Sequence, residues 1–341
     1  MHILVSFCNI TRPGRPALGV LDPATSEFRL VQLPPGLLRG AGLTGLAASE
    51  RHVYAATQAT NVTLRGRRPG RCELLVFDRA NFRLVNRYPF RLATDVHSLW
   101  WAGETLYAVS TGADEVVQLR LRDAAVISES VFWRPAPTGP RADLHHLNAV
   151  HGRGDALLVV GFGQRNGGPW SSAQDGFVVD ATRGERLASG LRHPHSLTLV
   201  DEQIVCCESR GWAVQVVGGQ RVGGLAGYTR GLCVVGRELF VGTSVGRRIS
   251  RSSGHRAGPS LPATPGRCAI SRLSTERFAL EETIDLGAYG REIYDLLPLD
   301  RVGNWPLVSR ITPRDWLCAA IADAAWMLAR RLGKDSAPSR R

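Results

Sequence analysis

The feature that most constrains the fold of this chain is an internal repeat. Each copy begins with a three-residue pattern in which the third residue is leucine and the second can be any residue. An apolar strand, a turn and a second apolar strand follow. The copies begin at Thr44, His97, His145, His195, Arg230 and Tyr294. They lie about 50 residues apart on average, the size of a four-stranded propeller blade. The repeat predicts an all-β, six-bladed β-propeller, with seven blades as the alternative.

The last copy is incomplete, and the start of the chain has the pattern that it lacks. The unit at Tyr294 has a first strand, IYDLLPL, but no second one, whereas residues 2–9 read HILVSFCN, like the second strands of other units. ALGVLD and FRLVQL then supply a third and a fourth strand. We expect residues 1–33 to complete the blade begun at Ile293, so that the ring closes without a free sheet edge.

The C-terminal segment differs from the repeats. Thr312 and Pro313 form a helix-start signal, and an apolar run follows until Gly333. The expected organisation is a propeller over 1–308, an apolar C-terminal α-helix within 309–333 and a disordered tail over 334–341. The helix is too short to span a bilayer. Its segment 313–332 either packs on the propeller or contacts a membrane surface or a partner protein.

The composition indicates which kinds of partner and which cellular compartment to expect. The net charge is +12, but of the 42 basic residues only Lys334 is lysine, and the arginines are scattered. This skew is typical of a GC-rich genome, so we expect no specific nucleic-acid binding and only a weak general attraction for anions. The seven cysteines are odd in number, without a CxxC pair, and the first residues lack a signal-peptide pattern. We therefore expect a cytoplasmic protein, at most peripheral to a membrane.

Several motifs resemble a known family. The opening LVSFCN, the units HSLWW, HHLNAV and HPHSLTL, and the segment EIYDLLP resemble a bacterial family of uncharacterised propeller proteins, described as a domain of unknown function. The resemblance spans residues 1–308 and implies a six-bladed propeller without implying a reaction. The architecture is more distantly similar to gluconolactonase-type and streptogramin-lyase-type propellers, which imply metal-dependent chemistry at the channel mouth. The acidic and asparagine ligands of the gluconolactonase group are absent.

The repeat position before x-Leu predicts a candidate site. Innermost strands line the channel of a propeller, so equivalent first residues should form a ring at one mouth. His97, His145 and His195 would then converge, with His146 as the reserve ligand if the third unit is out of register. Three imidazoles with an open position fit a divalent transition metal. Arg230 and Tyr294 would bind a small-molecule substrate, anionic if Arg230 pairs with it.

Two classes of function fit these features. The first is a small-molecule enzyme at the histidine-lined mouth, with metal-dependent lyase, hydrolase or oxidase chemistry. Without a metal, His97 and His195 would serve as acid and base and Arg230 would hold the substrate. The second is a non-catalytic propeller platform that binds a protein or a glycan. Convergence of polar residues at the mouth favours the enzyme.

Overall fold

The fold consists of six antiparallel sheets arranged in a closed ring. The structure is a computed structural model that describes residues 1–9, 16–38, 42–58, 72–165, 168, 170–245, 266–314, 317–318 and 321. The innermost strand of each sheet contacts the innermost strands of the two neighbouring sheets, and the sixth contacts the first. The chain is therefore an all-β, six-bladed propeller, as the repeat predicts.

The first three blades each contain four strands, numbered in chain order and running from the channel outward. Blade 1 contains β4 (Leu43–Ala48), β5 (His52–Thr57), β6 (Glu73–Asp78) and β7 (Leu84–Pro89). Blade 2 contains β8 (Val96–Ala102), β9 (Thr105–Ser110), β10 (Glu115–Arg122) and β11 (Ala125–Trp133). Blade 3 contains β12 (Leu147–Arg153), β13 (Ala156–Gly161), β14 (Gly176–Asp180) and β15 (Glu185–Leu191).

The other three blades follow the same plan, with one extra strand in the last. Blade 4 contains β16 (Pro194–Val200), β17 (Gln203–Glu208), β18 (Ala213–Val216) and β19 (Arg221–Val222). Blade 5 contains β20 (Tyr228–Val235), β21 (Glu238–Ser244), β22 (Ala269–Ser274) and β23 (Ala279–Asp285). Blade 6 contains β24 (Ile293–Leu299), β1 (His2–Phe7), β2 (Leu18–Leu21), β3 (Phe28–Val31) and β25 (Leu307–Val308). Short 3-10 turns occupy Thr111–Ala113, Trp170–Ser172 and Ser209–Gly211.

Blade 6 closes the ring as predicted, because β1 pairs with β24 from the other end of the chain. The repeat does not predict β25, which adds a fifth strand on the outside of β3. Before β25, Trp305 packs on Phe82 of blade 1 and its indole N–H donates to the carbonyl of Arg79 at 2.7 Å. The segment after β24 therefore binds both sides of the seam between the last blade and the first.

The apolar core is divided among the faces between blades. The described residues form six large buried clusters, and each combines side chains from two neighbouring blades. Hydroxyl groups at the mouth add polar links: Thr111 donates to the carbonyl of Leu147 at 2.5 Å, and Ser209 to that of Thr229 at 2.6 Å. Each blade therefore depends on both neighbours for burial of its two faces.

The predicted C-terminal helix is not supported as an element of the fold: described residues 313–314, 317–318 and 321 have helical conformation, but no α-helix is bounded among the described residues. Most of segment 313–332, and the whole of the predicted tail over 334–341, lie outside the residues that the structure describes. Among the described helical turns, none is long and apolar enough to cross a membrane.

Candidate functional site

Each innermost strand has a β-bulge near its start, and the bulges set the true register of the repeat. The pairing shifts by one residue between Val96 and Ser98 in β8 and between Leu147 and Ala149 in β12. The innermost strands of the other four blades contain the same kind of shift. Bulges re-aim side chains and are common beside active sites. The residues at or beside these bulges form the inner ring: Thr44, His97, Asn148, His195, Arg230 and Tyr294.

The repeat pattern misplaces the third unit by three residues, so the predicted place of His145 is wrong. Asn148, not His145, occupies the inner ring in blade 3, because the bulge of β12 falls at that residue. The His145 imidazole lies outside the channel, where Nδ1 is 2.9 Å from the Asp114 carboxylate. It lines a separate cavity of about 550 Å³ together with Trp133, Gln164 and Phe177.

A second set of side chains lies two residues before the inner ring in each blade, and we call it the outer ring. Its members are Gly42, Asp95, His146, His193, Tyr228 and Glu292. Asp95, His146 and His193 all have positive φ angles, between 50° and 52°. Non-glycine residues rarely adopt this backbone conformation, and they cluster at functional sites when they do. The shared conformation shows that these three residues occupy equivalent positions on successive blades.

The reserve ligand His146 thus belongs to the outer ring. Its Nδ1 is 3.1 Å from both oxygens of Asp143, and its imidazole contacts the rings of His97, Phe162 and Trp170. His193 stacks on the other side of Phe162, with ring centroids 4.3 Å apart. Burial and the charge of Arg210 lower the pKa of His193 to about 4. His193 is therefore neutral at physiological pH.

Contacts between side chains form a closed circle around the mouth. Neighbouring groups lie 4.7 to 5.5 Å apart, measured between ring centroids or from the guanidinium carbon. The members, in order, are Tyr294, Arg230, Tyr228, His195, Phe162, His146 and His97. Blades 2 to 6 all contribute, and the side chains of His97, His195, Arg230 and Tyr294 lie together in this circle.

His97 has hydrogen-bond acceptors at both ring nitrogens. Asn148 donates its amide N–H to the carbonyl of His146 at 2.7 Å, which turns its Oδ1 toward His97 Nδ1 at 3.1 Å. The Asp95 carboxylate is 3.4 Å from His97 Nε2. Burial would raise the pKa of Asp95, but the charge and hydrogen bond of His97 lower it below its usual value. Both ring nitrogens of His97 therefore face hydrogen-bond acceptors, Asn148 at Nδ1 and Asp95 at Nε2.

His195 has the opposite arrangement. The Ser209 hydroxyl donates to the Thr229 carbonyl at 2.6 Å, so its oxygen accepts from His195 Nδ1 at 2.7 Å. The buried Nε2 has no hydrogen-bond partner among the described residues. Burial and the nearby charge of Arg230 hold the pKa of His195 well below its ordinary value. His195 is therefore neutral, and its buried Nε2 has a lone pair that no described group binds.

Arg230 is the cation of the inner ring. Its guanidinium lies between two tyrosine rings, 5.2 Å from the centre of Tyr228 and 5.0 Å from that of Tyr294. Its buried Nε has no hydrogen-bond partner within the described ranges. A guanidinium that contacts aromatic rings keeps N–H donors that can bind an oxyanion.

Thr44, the inner-ring member of blade 1, has a structural role. Its hydroxyl bonds to the carbonyl of Val96 in blade 2 at 2.7 Å and contacts that of Ala56 at 3.3 Å. It therefore links two blades, and the chemistry of the mouth comes from the other inner-ring residues.

The predicted metal site is not formed by the side chains that the structure describes. No three of their histidine, cysteine, aspartate or glutamate side chains are placed to hold a metal ion. The reason is geometric: His145 lies outside the channel, and the nitrogens of His97 face Asn148 and Asp95. The donor set that the sequence suggested, His97, His145, His146 and His195, therefore does not fit a shared ion.

The inner ring opens into a channel cavity of about 370 Å³. His97, Asn148, His195, Arg230 and Tyr294 line one part of it. The innermost strands line the rest, as far as Trp101 and Pro298 near their C-terminal ends. Asp295, one residue below Tyr294, also faces this cavity. The site therefore combines a cation, a neutral imidazole and a second imidazole that faces two acceptors, around a space large enough for a small molecule.

The model of a family described as a domain of unknown function, DUF4915, matches residues 43–305. The match covers most of the chain, so the protein is a propeller of this family, as its motifs indicated. No curated protein matches the chain.

Solved structures share the architecture at low sequence identity. A protein of unknown function from Bacteroides caccae has a TM-score of 0.54 and 11% identity, over 88% of this chain and 99% of that one. A candidate 6-phosphogluconolactonase from Bacteroides fragilis has a TM-score of 0.53 and 14% identity, over 88% of this chain and 98% of that one. The periplasmic gluconolactonase of Pseudomonas aeruginosa has a TM-score of 0.50 and 15% identity, over 87% of this chain and 98% of that one. At these identities the likeness concerns the fold alone.

Proposed function

We propose that the protein is a hydrolase that opens a small anionic ester, such as a phosphorylated sugar lactone, at the histidine mouth of the channel. In this proposal His195 is the general base, His97 with Asp95 is the general acid, and Arg230 binds the anionic group of the substrate. The observation that carries the proposal is the buried, unpartnered Nε2 of a neutral His195 in the same cavity as Arg230.

The proposed reaction uses the two imidazoles in opposite directions. His195 Nε2 takes a proton from a water molecule as the water oxygen attacks the ester carbonyl carbon. The carbon–oxygen bond of the leaving alcohol then breaks, and His97 gives that oxygen a proton. His195 ends with one proton more and His97 with one fewer, and exchange with solvent restores both. The Asp95 carboxylate supports the charged state of His97 before the transfer.

Arg230 supplies the preference for an anion. A charge-assisted hydrogen bond contributes about 1.5–3 kcal/mol, which corresponds to roughly 10- to 150-fold in binding. A lactone with a phosphate should therefore react faster than the same lactone without one. Gluconolactonase-type names among the solved structures of this fold support the choice of lactones as the first substrates to test.

The test compares hydrolysis of glucono-1,5-lactone and its 6-phosphate, with acid release measured above the spontaneous rate. We expect at least about tenfold higher kcat/KM for the phosphate, lost in Arg230→Met. Arg120→Met removes an exposed arginine of β10 and is the matched control. If the protein hydrolyses neither lactone but binds the phosphorylated acid tightly, it is an anion-binding propeller and not a hydrolase. If the protein shows no binding and no turnover, the proposed site is wrong.

A further inference from the structure

The residue after each inner-ring position shows a pattern with one exception. In blades 1 to 6 this position holds Gly45, Ser98, Ala149, Ser196, Gly231 and Asp295. Five of the six are small and uncharged, as expected where the innermost strands approach closely. A Cβ atom on Gly45 would come within 2.7 Å of the backbone of Ser98. Asp295 is the exception, because it places a carboxyl group where the other blades have at most a hydroxyl.

The hydrogen bond that this position makes to the next blade does not require a carboxyl group. The Ser98 hydroxyl accepts the N–H of Val150 in the next blade at 3.3 Å, and that of Ser196 accepts the N–H of Gly231 at 2.9 Å. Asp295 does the same for blade 1, where Oδ2 accepts the N–H of Leu46 at 2.9 Å. Serine therefore suffices for the link between blades, and the carboxyl group needs another explanation.

The surroundings of Asp295 do not compensate a negative charge. Its Oδ1 accepts the N–H of Leu296 at 2.9 Å, but no cation of the described residues lies within ion-pair distance. The titratable groups near it include the thiols of Cys207 and Cys233, whose own pKa values burial raises. The side chains of Arg230, His97, His195 and Tyr294 share its cavity. Removing a carboxylate from water without a partner favours its protonated form. Burial accordingly raises the pKa of Asp295 to about 7.

Asp295 also shares its cavity with the ring that we propose to bind an anion. Arg230, His97, His195 and Tyr294 line the same space of about 370 Å³. A second negative charge within this small space would repel an ionised Asp295. The anion and the ionised carboxylate therefore compete, and a proton on Asp295 removes the competition.

We propose that Asp295 is the proton-exchanging group of the channel, and that an anion bound at the inner ring drives its carboxyl group to take up a proton. This inference rests on the anion site of the proposed function. Binding and protonation are then linked, so the affinity for the anion falls as Asp295 ionises. His193 and His195 also face the mouth, but burial and neighbouring cations shift their protonation to lower pH.

The test is calorimetric titration with sulfate, an anion that does not itself titrate near neutral pH. Heats measured at pH 7.5 in two buffers of different ionisation enthalpy give the number of protons taken up. The wild-type protein should take up a fraction of a proton per sulfate. Asp295→Ser should bind sulfate without uptake, since serine serves the same position in blades 2 and 4. Asp155→Ser, at an exposed carboxylate, should leave the uptake unchanged.

The possible outcomes separate the two proposals. Sulfate binding without proton uptake in the wild-type protein overturns the role of Asp295 and leaves the anion site standing. No sulfate binding overturns the anion site and this inference together. If Asp295→Ser does not fold, the wild-type protein still decides, because sulfate affinity must weaken between pH 6.5 and 8.5 with a slope equal to the number of protons taken up on binding. A constant affinity over that range contradicts the inference.

Discussion

His97 and His195 occupy the same repeat position in blades 2 and 4, yet their surroundings give them opposite proton roles. His97 lies between two acceptors, Asn148 and the Asp95 carboxylate. His195 donates from Nδ1 to Ser209, and its buried Nε2 has no partner in the described part of the chain. One imidazole is arranged as a proton donor and the other as a proton acceptor.

The difference shows that repeat position brings the histidines together but that neighbouring charges define their chemistry. A carboxylate stands beside His97, whereas the guanidinium of Arg230 contributes to the low pKa of His195. Two titratable groups in different surroundings can take the roles of acid and base in one active site. Substitutions at and around the two histidines can show whether this asymmetry exists and matters.

The largest effect is expected from removal of the base. His195→Asn should lower kcat for the lactone phosphate by about 10²- to 10⁴-fold with little change in KM, because a general base acts mainly in the transition state. The corresponding loss for His97→Asn should be smaller, since a lactone oxygen leaves more easily with only partial help. His52→Asn, in β5 and away from the mouth, is the control. Equal losses in His52→Asn and His195→Asn would remove the base from the proposal.

A smaller effect is expected from the carboxylate beside His97. Asp95→Asn keeps the shape of the side chain but removes the charge that supports a protonated imidazole, so kcat should fall about tenfold. The alkaline limb of the pH–rate profile should also move to lower pH, because His97 then loses its proton more easily. Asp143→Asn, beside His146, should leave that limb in place. An unchanged profile in Asp95→Asn would show that the pair does not act as the acid.

The asymmetry should also appear in stability. The folded-state pKa of His195 lies below its unfolded value, so below about pH 6.5 the unfolded chain binds a proton that the folded chain does not. Wild-type stability should therefore fall, relative to His195→Asn, as the pH falls from about 6.5 toward 4, by about 1.4 kcal/mol per unit of pKa difference. Urea unfolding at several pH values measures this, and a pH-independent difference would contradict a neutral, buried His195.

The smallest effect on activity is expected at the histidine that lies outside the mouth. His145→Gln should change kcat/KM less than about twofold, although loss of the contact with Asp114 should destabilise the fold by about 1 kcal/mol. A loss of activity comparable to that of His195→Asn would mean that the register of blade 3 is wrong and that His145 reaches the channel.

The sequence alone predicted the propeller because its repeat is long and regular. Six copies of a strand pair fix the number of blades, and HILVSFCN at the start matches the strand missing at the end. The fifth strand of blade 6 escaped prediction because Leu307 and Val308 form a two-residue strand without a periodic pattern. Its position depends on Trp305, which binds a blade far away in sequence.

The sequence predicted the candidate site only in part, and the failure has a physical cause. His145-His146-Leu147 imitates the repeat three residues too early, while Asn148-Ala149-Val150 is the true unit. Aligning five residues instead of three does not remove the error, since residues 143–147 (DLHHL) match residues 95–99 (DVHSL) better than residues 146–150 (HLNAV) do. The proton roles were beyond sequence reasoning, because Ser209 and Asn148 reach the histidines through the fold.

The central claim is that His195 is a neutral imidazole with a free lone pair on Nε2. Nitrogen-15 NMR of histidine-labelled protein at pH 6, with His195 assigned by comparison with His195→Asn, measures this state directly. We predict a protonated Nδ1, bonded to Ser209, and an unprotonated Nε2, while an ordinary exposed histidine is largely charged at that pH. Protons on both nitrogens of His195, or a proton on Nε2 alone, would contradict the account.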